Sequence, residues 1–136
     1  RAPYLKMSDN VTQALVDLGF IWSSSIEQNN AVHQNYNGII ELPIVVDDWE
    51  ILIKRNKSSD GLLKAMESNA NNGAVFLLHP WRVGQKKNIG ALEMFFDKVN
   101  YPCVSTQELV RSKKGIALTG DVGEMSLIEI AKRTLT

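Results

Sequence analysis

Along this chain short apolar runs alternate with segments of helical spacing, and no other feature constrains its fold as strongly. Val11, Ala14, Leu15 and Leu18 recur on one helical face; Ser8 or Asp9 can cap that helix, and Gly19 ends it. Residues 20–24 then read as a short strand, and residues 25–37, polar and Asn-rich, as a loop and the one plausible place for an insertion. Residues 39–46 are rich in β-branched side chains, although Pro43 points to an edge or interrupted strand. Residues 51–59 carry mixed signals and stay unassigned. Asp60 caps a helix that runs to Asn71 with Leu63, Met66 and Ala70 on one face and Gly73 beyond its end. Residues 74–78 form a buried strand that ends on His79-Pro80. Asn88 then caps a helix striped by Ile89, Leu92, Phe95, Phe96 and Val99. Residues 102–104 read as a strand, and Ser105 with Glu108 as the capping box of the next helix. A short apolar segment at 116–118, a Gly120-Asp121 turn and an amphipathic helix from Ser126 complete the chain. The expected class is α/β, with mainly parallel strands.

Composition narrows the partners. The 136 residues suffice for one domain, which buries roughly 68% of its unfolded surface. Fifteen basic side chains balance fifteen acidic ones, so no basic excess displaces phosphate counterions and no nucleic-acid partner is expected. No apolar run reaches the roughly 20 residues that a membrane span needs. The chain opens at Arg1 without a Met or a leader-like segment, and Arg1 reads as a cut end. Lone Cys103 excludes an internal disulfide and a Cys-based zinc cage, and reads as a small buried residue between Pro102 and Val104.

In parallel α/β sheets functional residues gather beyond the C-terminal ends of strands. Three polar clusters stand out: Arg1-Ala2-Pro3-Tyr4, Asp47-Asp48-Trp49 and His79-Pro80-Trp81-Arg82. Together they resemble the polysaccharide deacetylases, metal-dependent carbohydrate esterases that remove acetyl groups from glycans. That family's Arg-any-Pro-Tyr motif matches Arg1, Pro3 and Tyr4, followed by a helix and by Leu18-Gly19-Phe20. Its apolar strand ending in Leu-His matches Leu77-Leu78-His79. The run from Ala91 through Phe95 and Val99 to Val104-Ser105-Thr106 and Glu108-Leu109 is similar to its closing helix, strand and helix. The resemblance spans nearly the whole chain and implies a partial, distorted (β/α) barrel of which these residues are the C-terminal portion.

The resemblance also implies roles. His79 is the expected general acid on the leaving amine or alcohol, and Arg1 orients a carboxylate base. Tyr4, after Pro3, offers a backbone N–H to the oxyanion. Trp49 lines the sugar site; apart from the resemblance, Trp81 and Arg82 read either as a sugar-stacking and hydrogen-bonding pair or, for Trp81, as a rim aromatic packed on a neighbouring loop. The Asp that tunes the histidine is absent from its usual strand, which here reads Ser23-Ser24-Ser25-Ile26-Glu27; Asp48 is taken as its displaced equivalent. The family's Thr-Phe-Asp-Asp-Gly and His-any-any-any-His motifs, which supply the base and three metal ligands, do not occur in these 136 residues. No metal site is therefore expected in this chain, although a divalent, zinc-type metal is expected in the intact family enzyme.

Plainer readings stand beside these. Asp47-Asp48 also reads as a helix start for residues 49–53, His79 as a strand-end histidine bonded to backbone, and Arg1 as a fraying terminus. His33 reads as a solvated loop residue. The chain is expected to bind an acetylated polysaccharide, to be inactive alone, and to self-associate or pair with an N-terminal portion through an open sheet edge and an uncovered apolar face. The competing readings are a non-catalytic glycan-binding or self-assembling half-barrel module, and a small flavodoxin-like domain with an anion loop at Gly84 or Gly120-Asp121.

Overall fold

A computed structural model of the chain describes residues 5–120. Arg1, Pro3, Tyr4, Asp121 and the helix expected from Ser126 lie outside the described residues. Helix α1 (Asp9–Asp17) starts where the Ser8 hydroxyl accepts the Val11 N–H at 3.3 Å, so of the two possible caps Ser8 is used. Strand β1 (Trp22–Ser23) is shorter than expected: Phe20 and Ile21 are exposed and precede it. The segment read as pure loop contains β2 (Gln34–Tyr36), which pairs antiparallel with β3 (Ile39–Glu41). Their connection is Asn37-Gly38, both at positive φ (51° and 94°), the two-residue hairpin geometry that Asn-Gly favours.

Strand β4 (Ile44–Asp47) continues β3 beyond Pro43, and β5 (Ala74–Leu77) and β6 (Ile116–Thr119) follow in one parallel sheet of order β4-β5-β6. Residues 21–28 accompany the β3–β4 line on its other side: Ile40, Leu42 and Ile44 donate to the carbonyls of Ile21, Ser23 and Ile26. Pro43 does interrupt the strand, but in the interior of the sheet rather than at an edge. Its missing N–H falls on the opposite side from those donors, at the handover where β3 leaves β2 and β4 takes up β5, so no ladder bond is lost.

The architecture is mixed α/β with two three-stranded sheets, β1-β3-β2 of mixed direction and β4-β5-β6 all parallel, and no closed barrel is formed by the described residues. Strand order departs from the sequential order of a barrel. β6 is inserted between β5 and Cys103, which bridges to Ile116 from the far side. The crossover through α4 (Lys86–Lys98) therefore steps outward, and that through α5 (Thr106–Ser112) steps back. Right-handed crossovers taken in opposite directions put their helices on opposite faces. The packing divides accordingly. Leu62, Leu63 and Met66 of α2 (Ser59–Asn69) and Ala91 and Phe95 of α4 cover Val46, Ala74, Phe76 and Ile116, with the Phe76 and Phe95 rings 5.5 Å apart. Leu109 of α5 covers Leu42, Ile44, Val75, Leu77 and Ala117 on the other face.

Three local expectations are corrected. Helix α2 starts after Ser58, leaving Asp60 in the first turn where its charge favours the helix dipole. Asn88 lies inside α4, buried, and its side-chain N–H donates to the Arg82 carbonyl at 2.9 Å instead of capping. Cys103 is exposed, because its segment is the outer edge of the sheet with solvent on one side. The capping box holds: the Ser105 hydroxyl accepts the Glu108 N–H at 3.1 Å. Residues 50–54, within the unassigned stretch, form a π-helical turn (Glu50–Lys54). No helix among the described residues is long and apolar enough to cross a membrane.

Candidate functional site

β4 and β5 are neighbours with Asp47 in register with Leu77, so their C-terminal ends carry Asp48 and His79 to the same place. The register between the two strands shifts between Ile44 and Val46. Such an irregularity re-aims the residues that follow it. On the β5 side Pro80 opens the short helix α3 (Pro80–Val83), which leaves His79 as its cap residue with extended backbone. Proline at that position loses no helix bond and holds the histidine at the strand end.

The Asp48 side chain is fully buried (0% exposed). Its Oδ2 accepts the His79 backbone N–H at 3.0 Å, and its Oδ1 lies 2.5 Å from His79 Nδ1. A carboxylate only accepts, so Nδ1 carries the ring proton and Nε2 is the nitrogen left for chemistry. Among the described residues nothing hydrogen-bonds Nε2. The Trp81 indole stands edge-on to the imidazole, with ring centroids 4.8 Å apart. Arg82 places Nη1 3.7 Å from Asp48 Oδ1 and keeps the buried carboxylate company as an ion pair. Trp49 and Trp81 are exposed at 43% and 42%, so both indoles flanking the dyad offer an apolar surface.

Asp47 behaves differently. Its Oδ1 accepts the Trp49 N–H at 2.8 Å and starts the helical turn that follows. The helix-start reading thus suits Asp47, and the histidine-tuning reading suits Asp48. Glu27, bridged to Ile44, stands beside Asp47 in a cavity of about 320 Å³ that Glu50 also lines. Partial burial holds the Glu27 carboxyl above its ordinary range, reinforced by the Asp47 charge, a hydrogen bond with Asp47 and the Glu50 charge, while Lys54 opposes. The folded chain therefore binds the Glu27 proton more tightly than the unfolded chain. Stability is lost as pH rises from the ordinary Glu value of 4.5 through the higher folded value. Glu27→Gln is expected to abolish that loss and to be a few tenths of a kcal/mol more stable than the native chain at neutral pH, with no advantage in acid. Urea titrations across pH test this, and an equal pH slope in both proteins would contradict it.

His33, expected to be solvated, is half-buried; the hairpin brings its Nε2 to 3.1 Å from the Gly73 carbonyl, far from Asp48 in the fold's connectivity. The serines of residues 23–25 surround a different carboxylate. Glu41 is 1% exposed, and its Oε1 accepts the N–H groups of Ser25 and of Ile26, the latter at 2.8 Å. That arrangement ties β3 to residues 25–26.

Ligand atoms of Asp47, Asp48 and His79 all lie within 4.8 Å of one another, so the trio was tested as a metal centre. It does not suit the divalent, zinc-type ion that the resemblance implies. Both Asp48 oxygens are engaged by His79, Asp47 Oδ1 caps a turn, and the Arg82 cation is adjacent, so only Nε2 of His79 stands free. Zinc chemistry needs three free ligands and a vacant fourth position.

No family model, no curated protein and no solved structure matches this chain. Function is therefore argued from the dyad itself. Of the residues singled out in the sequence, the structure brings together Asp48, His79, Trp81 and Arg82, with Trp49 adjoining; Arg1, Pro3 and Tyr4 lie outside the described residues.

Proposed function

We propose that these residues are the C-terminal part of a distorted, polysaccharide deacetylase-type hydrolase domain that removes acetyl groups from a glycan, with His79 as general acid. The single observation that carries this reading is the Asp48–His79 pair at the C-terminal ends of adjacent parallel strands. Asp48 holds the histidine by its backbone N–H and its ring Nδ1 and keeps the proton on Nδ1, so Nε2 is the nitrogen that takes up and delivers a second proton. Delivered to the leaving nitrogen or oxygen of the sugar as its bond to the acetyl carbon breaks, that proton lets the group depart as an amine or alcohol. Trp49 and Trp81 provide apolar ring surface for a pyranose. Arg1, Pro3 and Tyr4 keep the roles that the resemblance implies, orienting the base, lining the site and donating to the oxyanion.

The resemblance puts the water-activating base and the metal ligands in motifs that do not occur in these 136 residues. The 136-residue chain alone is therefore expected to bind an acetylated polysaccharide without hydrolysing it. Addition of an N-acetylated sugar oligomer should change tryptophan fluorescence with no acetate released, and Trp81→Ala should weaken binding roughly tenfold. An unchanged spectrum at saturating oligomer would remove the glycan from this reading, and acetate release would overturn the inactive-alone expectation. The exposed indoles also support a second reading, a glycan-binding module without catalysis. Acetate release by the intact gene product separates the two.

A further inference from the structure

Two Asn-Gly pairs occur in the chain, Asn37-Gly38 and Asn72-Gly73. Such a pair carries its own chemistry. Glycine has no Cβ to shield its backbone nitrogen, so that nitrogen can reach the side-chain carbonyl carbon of the asparagine before it. The fold sets the two pairs in opposite surroundings.

Asn72-Gly73 is locked in place. Gly73 is buried, and its N–H donates to the Gly115 carbonyl at 3.0 Å. Asn72 Oδ1 accepts the Gly115 N–H at 2.9 Å, so nitrogen and amide are both committed to one neighbour. The backbone is also hemmed in: a Cβ on Gly73 would stand 2.8 Å from the Ala31 carbonyl oxygen. Asn37-Gly38 stands open. Every residue from Gln34 to Gly38 is exposed, and nothing lies within 4 Å of where a Cβ on Gly38 would be. The Gly38 N–H donates to the exposed Asn35 side chain at 2.9 Å. Strand β2 is the outer strand of its sheet, three residues long with none buried, so the hairpin tip opens at little cost.

We infer that Asn37 is a site of self-modification, an asparagine that loses its amide to its own backbone with water as the co-reactant. The Gly38 nitrogen, giving its proton to solvent, attacks Asn37 Cγ; the new C–N bond closes a five-membered imide, and the Cγ–Nδ2 bond breaks as ammonia leaves. Water then opens the imide at either carbonyl, breaking one of its two C–N bonds. One product is aspartate, and the other is isoaspartate, whose main chain runs through Cβ. No electrons are transferred. Either product adds one carboxylate to a chain of fifteen acidic and fifteen basic side chains. Isoaspartate also lengthens a two-residue turn that sets the register of β2 on β3.

Peptide mapping by mass spectrometry tests this on the full chain, incubated at physiological temperature and mildly alkaline pH, with isoaspartate identified by its fragmentation. Conversion at residue 37 should outpace that at residue 72 by about tenfold or more, because residue 72 reacts only after a larger opening. In concentrated urea both sites should convert at similar rates, since the folded surroundings are gone. Equal rates in the native chain, or conversion at residue 72 first, would overturn the inference. So would a native residue 37 that stays intact while the unfolded chain reacts. A preference for residue 37 that persists undiminished in urea would also overturn it, by assigning the difference to neighbouring residues rather than to the hairpin.

Discussion

Replacing Asp48 with alanine is expected to lower the unfolding free energy by about 3–5 kcal/mol. The carboxylate is fully buried and accepts two N–H groups of His79 beside the Arg82 cation. Its loss leaves a backbone N–H and a ring N–H without an acceptor and the Arg82 guanidinium without its ion-pair partner. Asp48→Asn keeps one acceptor oxygen and is expected to cost less, about 1–3 kcal/mol. Urea denaturation of the three proteins measures this, with unchanged denaturant slopes showing that the native fold persists. An alanine variant within about 0.5 kcal/mol of the native chain would mean that the dyad is a surface contact rather than a buried one.

His79→Ala has the larger expected effect on chemistry. General acid catalysis contributes about 10²–10⁴-fold, so the intact gene product should lose that factor in the rate of acetate release from a glycan. KM should move little, because the indoles of Trp49 and Trp81, and not the imidazole, supply the sugar contact. Trp81→Ala should show the opposite split, with KM raised and kcat less affected. A His79→Ala enzyme at full rate would leave the histidine with its plainer role, a strand-end side chain bonded to a neighbouring carboxylate.

Much of the layer structure was legible along the chain. The helical stripes and β-branched runs located α1, α2, α4, β4 and β5, and Ser105 with Glu108 marked α5 without ambiguity. The hairpin at 34–41 escaped because the polar composition of residues 25–37 outweighed Asn37-Gly38, a two-residue signal that is decisive only when the strands beside it are recognised. Strand order escaped for a different reason. Nothing in the residues of β6 says that it inserts between β5 and Cys103; that choice is made by which apolar face each helix covers, and only the packed sheet reveals it. Capping residues at Asp60 and Asn88 were misplaced by one turn or less, the usual scale of error where Ser, Asp and Asn cluster.

The site was half legible. Asp48 and His79 are 31 residues apart, and only a strand-end rule applied twice puts them together. Asp48 was singled out as the partner of the histidine, but the helix-start reading was left to the Asp47-Asp48 pair, because identical side chains one residue apart differ only in the direction the strand presents them.

The measurement that bears most directly on the account compares leaving groups. The intact gene product and its His79→Ala variant are assayed on an N-acetylated sugar oligomer and on an aryl acetate, whose phenolate departs without needing a proton. Loss of a general acid predicts a drop of about 10²–10⁴-fold on the sugar amide and little change on the aryl ester. Equal losses on both substrates, or none on either, would contradict His79 as the proton donor to the leaving group.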